Sequence, residues 1–333
     1  MSIGKSKRYK RLRRTLLIIF LVVAVIIGVS YLVSSRYLNK INRVDDTYTI
    51  PAQQEDFETD ENNGLEEMEP EEVTWKRTEP LIDEDLLNFL LVGQDKRPGE
   101  GRQRSDTMIV ISINSKTKEI SMISFLRDLY VQIPGYSDNR LNAAYAFGGF
   151  PLLISALYTN FGISIDGSFE IDFEGFRTLI NQIGGIDINL TEGEAAIVGS
   201  PTKAGMNHLD GRQALIYARI RKIGTDFART GRQRAVLMAC YEKIKQKSFS
   251  EINDLIGTAL PYITTDMSNR DIYGTVFKLF SLIGSVKINS YFIPPEGTYE
   301  NKYIRGMAIL YPDLAAIRDI LAEEYLPLKR ARD

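Results

Sequence analysis

Asn88-Phe89-Leu90-Leu91-Val92, Met108-Ile109-Val110-Ile111-Ser112-Ile113 and Ile120-Ser121-Met122-Ile123-Ser124-Phe125 are three short apolar runs in close succession. Gly93 bounds the first. The second and third are joined by Asn114-Ser115-Lys116-Thr117-Lys118, a polar, turn-like sequence. Such runs read as strands. Downstream, Pro151 to Phe161 has the apolar spacing of a helix, and Phe173 to Ile183 forms a second one stopped by Gly184-Gly185. Ile186 to Leu190 returns to alternation, as in a strand. Helices are expected near 210–219 and 231–246, and from Ser268, where Asp271 completes a capping-box pattern. Lys287 to Ile293 reads as a late strand, and Pro312 can open a final helix to Tyr325. Strands and helices mix without regular βαβ alternation or an internal repeat. The predicted class is α/β, with a central mixed β-sheet flanked by helices in an α-β-α sandwich.

Outward from this core, charge is segregated. The 333 residues are 44% hydrophobic and 25% charged, with a net charge of −2. Residues 1–14 carry seven bases and no acid, whereas Asp45 to Glu72 holds twelve acids and no base. Between these stretches, Leu16 to Val33 is an apolar run broken only by Gly28 and Ser30. As a helix it would be about 27 Å long, enough to span the hydrocarbon core of a bilayer. The sequence after it offers no small-residue cleavage site, so it reads as an anchor rather than a cleaved signal. The basic flank places the N-terminus in the cytoplasm. The expected organisation is a basic cytoplasmic tail (1–14), a transmembrane helix (15–34), an acidic extracellular linker (35–80) and an extracellular domain (81–333).

Cys240 and His208 each stand alone in the chain. One cysteine allows no intrachain disulfide and no cysteine-based metal site. Cys240, in Ala235-Val236-Leu237-Met238-Ala239-Cys240, reads as a small core residue. His208, in Gly205-Met206-Asn207-His208, reads as a solvated loop residue in a turn. Hydrolase schemes that need a histidine base are therefore set aside.

Two clusters carry chemistry. Gly93-Gln94-Asp95-Lys96-Arg97 ends the first strand, and Arg104-Ser105-Asp106-Thr107 begins the second. If those strands are neighbours, Asp95 and Asp106 converge at one sheet edge. Two hard oxygen ligands with open positions suit Mg²⁺, although Asp and Ser-Asp also cap turns. In the second cluster, Arg212 to Arg234 contains seven bases and one acid, Asp226, and six of the bases are arginine. Arginine forks bind phosphate oxygens bidentately. A solvated helix face is the alternative, but such faces mix signs and favour Lys and Glu. Nucleic acid is not an expected partner, because the cluster lies across the membrane from the chromosome. Arg127-Asp128, after the third strand, can add a further guanidinium.

Asn88 to Asp95, Arg104-Ser105-Asp106-Thr107, Arg127-Asp128, Leu141-Asn142-Ala143-Ala144-Tyr145 with Gly148-Gly149, and the string from Tyr217 to Gln233 occur in the order seen in the LytR–CpsA–Psr family. The chain resembles that family over about residues 86–246. Gln94 stands where Ser is common, Phe125-Leu126 replaces Ile-Pro, and Arg140 replaces Lys; none of these changes removes a charge. The resemblance implies a membrane-anchored extracellular phosphotransferase that moves teichoic acid, capsule or a similar glycopolymer from undecaprenyl pyrophosphate to peptidoglycan. A non-catalytic receptor for anionic or lipid-linked cell-wall glycan is the alternative. It further implies an apolar lipid tunnel between sheet and helices. Carried over residue by residue, Asp95 and Asp106 resemble the Mg²⁺-binding carboxylates. Arg127, Arg219, Arg221, Arg229 and Arg232 resemble the pyrophosphate-binding arginines, and Gln233 the glutamine of the same motif. Arg97 and Arg140 complete the candidate pyrophosphate-binding set. Asp95, Arg127, Asp226 and Arg229 are the catalytic candidates, with Asp95 or Asp226 as proton acceptor.

Overall fold

A computed structural model describes Ser35 and residues 38–44, 56–76, 78–94, 102–279 and 286–328. Residues 1–41 and 42–333 form separate compact units. The predicted cytoplasmic tail and transmembrane helix, and the candidates Asp95 and Arg97, lie outside the described residues.

In the larger unit the strands are, in chain order, β1 (Asn42–Arg43), β2 (Glu66–Glu67), β3 (Leu86–Gln94), β4 (Ser105–Asn114), β5 (Glu119–Phe125), β6 (Tyr130–Val131) and β7 (Asn139–Arg140). They continue with β8 (Gly167–Ile171), β9 (Ile186–Leu190), β10 (Gly205–Leu209), β11 (Ile263–Thr265), β12 (Lys287–Ile293), β13 (Tyr299–Ile304) and β14 (Met307–Pro312). Seven of these build one sheet in the order β1-β11-β8-β3-β4-β5-β12. It is mixed: β3 and β4 are antiparallel, whereas β8 beside β3 and β12 beside β5 run parallel. Gln94 pairs with Ser105 across a register shift. The end of β3 and the start of β4 therefore meet at one sheet edge, which carries Asp106.

Helix α1 (Leu141–Phe161) covers one face of the sheet. Phe147, Phe150, Leu153, Leu157 and Phe161 bury against Leu90, Val110 and Ile123 in the main core. Among the described residues α1 is the one helix long and apolar enough to cross a membrane, but 72% of that stretch is buried inside the domain, so it is a core helix here. It kinks at Gly148 and Gly149. Gly149 has φ +62°, and a Cβ there would lie 2.7 Å from the Arg102 guanidinium carbon, so glycine alone allows that approach.

On the other face, a second core joins α2 (Phe173–Gln182), α3 (Glu192–Val198), α4 (Gly211–Ala218) and α5 (Asp226–Lys245) to the β9–β10 hairpin. α6 (Phe249–Ala259), α7 (Asn269–Leu279) and α8 (Leu314–Ile320) complete the helices used below. A mixed sheet flanked by helices is the predicted class.

Several local expectations are corrected. Residues 56–76 and 78–80, read as part of the linker, pack on the domain. β2 pairs with β13, Trp75 Nε1 donates to Asp138 at 2.6 Å, and Asp60 pairs with Arg140. The acids that looked like spacer are counter-ions: Asp56 and Glu58 lie 3.8 Å from Arg104, and Glu58 lies 3.6 Å from Arg140. A strap whose regular pieces are a two-residue strand and one short 3-10 turn at Pro70–Glu72 leaves no periodicity to read. The 205–208 segment is strand β10 rather than a turn, paired in register with β9. α5 begins at Asp226, a turn before the predicted start. Pro312 closes β14, and Asp313 caps α8 by accepting from the amides of Ala315 and Ala316 at 3.1 Å.

Candidate active site

The chemistry gathers where the start of β4, the segment after β5 and the first turn of α5 meet. Asp106 on β4 is the hub. Arg221 Nη2 donates to both of its carboxylate oxygens, at 2.8 and 2.9 Å, and Arg127 Nη1 to one of them at 3.2 Å. Arg229 Nη1 stands 4.0 Å from the same carboxylate, while its Nη2 pairs with Asp226 at 2.8 Å, one turn earlier on α5. Asp226 and Arg229 fall on one helix face because they are three residues apart. Arg127 Nε also faces Asp128 at 3.4 Å and Asp226 at 3.9 Å. Three guanidiniums and three carboxylates thus interlock.

Arg229 is 3% exposed, and its Nε and Nη1 are buried without a hydrogen-bond partner among the described residues. Burial lowers its pKa, Asp226 partly opposing. Unmet buried donors on a cation are costly, and an anion brought to them satisfies both charge and hydrogen bond. Burial likewise pushes the Asp128 carboxyl above the usual carboxylate range, with Arg127 pulling it down and Asp226 adding to the rise. Arg127 goes the other way: burial would lower its pKa, but Asp128, Asp226 and Asp106 raise it.

A cavity of about 340 Å³ opens from this cluster between the sheet and helices α2, α4 and α5. Asp106, Arg219, Arg221, Arg229 and Gln233 contribute to its wall. The rest is largely apolar, from Leu91 and Ile109 on the sheet to Phe176, Leu179, Leu215, Val236 and Leu237 on the helices. Arg219 stacks its guanidinium over Phe173 at 4.2 Å, a cation–π contact on that wall. An apolar chamber with a cationic patch on its wall fits an amphiphile with an anionic head.

The remaining candidates sit elsewhere. Arg232 is buried: its Nε meets Glu194 at 2.7 Å, and its two other nitrogens donate to the carbonyls of Ile220 (3.0 Å) and Ile223 (2.9 Å). Arg140 is 5% exposed on the side chain, held by Asp60, Glu58, the Ala308 carbonyl and Asp128 (3.6 Å), so it backs the cluster rather than lining the cavity. Sequence reading assigned no role to Asp128, although its place beside Arg127 was the available signal. Also missed was the buried group in which Gln94 and the Tyr145 hydroxyl both donate to Glu170 on the cavity wall. His208 is exposed and paired with Asp187 at 2.7 Å. Cys240 packs against the second core, and burial pushes its thiol up to about 12, which leaves it protonated and non-nucleophilic at neutral pH.

The profile of the LytR_cpsA_psr family matches residues 48–323. The chain belongs to the LytR_cpsA_psr family. The matched span takes in both the strap and the guanidinium cluster. Regulatory protein MsrR of Staphylococcus aureus (strain COL) is 30% identical over 254 residues, 74% of this chain and 77% of MsrR. The Bacillus subtilis (strain 168) polyisoprenyl-teichoic acid–peptidoglycan teichoic acid transferase TagT is 30% identical over 229 residues, 65% of this chain and 71% of TagT. A solved structure of the family, YwtF (TagT) with bound octaprenyl pyrophosphate lipid, is 25% identical with a TM-score of 0.55, covering 73% of this chain and 91% of that one.

Proposed function

We propose that this LytR_cpsA_psr family member is a membrane-anchored extracellular phosphotransferase that moves a glycopolymer from undecaprenyl pyrophosphate to peptidoglycan. One observation carries the reading: an apolar cavity whose charged wall presents the buried, unmet donors of Arg229. The lipid-bound relative and the transferase name of TagT support it. The prenyl chain fills the cavity, and the pyrophosphate displaces Asp106 from its guanidinium partners. Arg127, Arg221 and Arg229 then stabilise the charge that builds on the phosphoryl oxygens. An acceptor sugar hydroxyl attacks the glycan-linked phosphorus, and undecaprenyl phosphate leaves. Positioning by fixed guanidiniums supplies much of the remaining rate. Arg140 and Arg232 act by positioning: one backs Asp128, and the other holds the 220–223 segment that presents Arg221.

Asp106 offers hard oxygens at the sheet edge, and Asp95 follows Gln94 directly in the sequence. That donor chemistry fits Mg²⁺, which these two carboxylates would hold and which would neutralise phosphoryl charge there. Transfer of a lipid-linked glycan to peptidoglycan oligomers, followed with and without EDTA, tests both layers. Transfer abolished by EDTA and restored by Mg²⁺ is the expected result. Transfer indifferent to EDTA sinks the metal; tight lipid binding with no transfer to any acceptor favours a receptor.

The anchor is proposed at Leu16–Val33, with the basic flank inside and the domain outside. Protease added to intact protoplasts should digest the chain after residue 35. Survival of the domain while the membrane stays sealed would reverse the topology.

A further inference from the structure

A second cavity, of about 330 Å³, shares no lining residue with the apolar one and has no part in the reading above. Its wall brings together Trp75, Lys76, Tyr299, Tyr311, Glu300 and Asp313. The acids there are already engaged: Glu300 pairs with Lys302 at 2.9 Å, and Asp313 caps α8. The other groups are open. Neither the Tyr299 nor the Tyr311 hydroxyl has a hydrogen-bond partner among the described residues, and Lys76 is exposed with no acidic partner there. The Trp75 ring is fixed, packed 6.2 Å from Tyr130 and 6.0 Å from Tyr311, with its Nε1 held by Asp138. Rigid aromatic faces, free phenols and one ammonium suit a sugar, whose C–H face stacks on rings while its hydroxyls and a carboxylate find polar partners.

Two short links join this cavity to the chemistry. Tyr299 packs 5.6 Å from Phe227, the residue after Asp226. Leu310, next to Tyr311, donates its amide to the Asp128 carbonyl at 2.9 Å. The apolar cavity has Asp106 and Arg221 on its wall, whereas the links of this one run to the neighbour of Asp226 and to the backbone of Asp128. Displacement at phosphorus places the attacking and leaving oxygens roughly in line. A leaving undecaprenyl phosphate seated in the apolar cavity therefore leaves the incoming hydroxyl to approach from outside that cavity.

We infer that the cavity between Trp75, Tyr299 and Tyr311 is the acceptor-saccharide subsite, which feeds a sugar hydroxyl past Asp226 to the phosphorus. The inference rests on the transferase reading above. In the step, the hydroxyl oxygen forms a new P–O bond as the bond from that phosphorus to the oxygen of undecaprenyl phosphate breaks. The hydroxyl proton passes to Asp226, and the glycan ends as a phosphodiester of the acceptor. No co-reactant is needed.

Trp75 is the only tryptophan in the chain, so its emission reports this cavity directly. A soluble peptidoglycan tetrasaccharide titrated into the full-length protein should change that emission saturably, and octaprenyl pyrophosphate should compete little. A triple variant, Lys76→Ala with Tyr299→Phe and Tyr311→Phe, keeps every ring and removes only the free polar groups. It should weaken tetrasaccharide binding, and raise the acceptor KM, by tenfold or more, with octaprenyl pyrophosphate affinity within about twofold of wild type. An unchanged tetrasaccharide titration in that variant, or no Trp75 response in a wild type that transfers, overturns the subsite. If the wild type transfers to no acceptor, the transferase reading fails. The titration then decides alone: saturable binding lost in the triple variant keeps the saccharide site, and no response removes it.

Discussion

Replacing Arg229 by lysine lowers glycan transfer about 10²–10³-fold, the loss seen when one preorganised donor is removed from a charge-stabilising site. Lysine keeps the charge and can keep the pair with Asp226, so the fold should survive. What disappears is the planar fork, whose Nη2 holds Asp226 while Nε and Nη1 stay free for a phosphoryl oxygen. Octaprenyl pyrophosphate affinity should fall as well, by about 1.5–3 kcal/mol for a lost hydrogen bond to a charged group. Arg221→Lys is the graded comparison: Arg221 is more than half exposed and shares Asp106 with Arg127, so its loss should cost less. Transfer by Arg229→Lys at more than half the wild-type rate, with the melting temperature unchanged, would remove Arg229 from the site.

The sequence carried the site in pieces and four of the seven strands of the main sheet, leaving β1, β8 and β11 unread. β3, β4 and β5 were readable because strands buried on both faces leave continuous apolar runs, and β12 matched residue for residue. The arginine string was readable because six arginines against one acid is an unusual surface. The division of labour within that string was not legible. Arg229 and Arg232 share a residue type and lie three positions apart, yet one faces the cavity and the other faces Glu194. That difference is set by α3, which supplies Glu194 from nearly forty residues upstream, beyond the reach of any local pattern. The strap was misread for a similar reason. Asp56, Glu58 and Asp60 look like solvated spacer until Arg104 and Arg140 are placed beside them. The hairpin β13–β14, and with it the aromatic cavity, went unseen because β13 mixes charged and apolar residues without clean alternation, and β14 is a six-residue apolar run whose periodicity alone does not separate strand from helix.

Arg232 and Glu194 provide the sharpest separation of structure from chemistry. Arg232→Met should destabilise the domain by about 3–5 kcal/mol, because it leaves Glu194 as an uncompensated, largely buried charge and strips the Ile220 and Ile223 carbonyls of a donor. The pH dependence follows from the Glu194 carboxyl. Burial alone would push it up, but the Thr191 amide (2.9 Å) and Arg232 outweigh burial and hold it below the usual range. A carboxyl lowered by folding contributes stability that is present above its unfolded pKa and is lost as pH falls through the folded value. In Arg232→Met the same carboxyl keeps its burial and loses its cation, so its pKa rises. The gap between wild type and variant should then be widest near pH 7.5 and narrow toward pH 4.5, as the variant takes up a proton without penalty. Adding Glu194→Gln to Arg232→Met removes the buried charge and should recover much of the loss at pH 7.5. Urea unfolding of the wild type, the single and the double variant at both pH values measures this. A stable Arg232→Met protein that has lost octaprenyl pyrophosphate binding would instead make Arg232 a direct ligand of the lipid head.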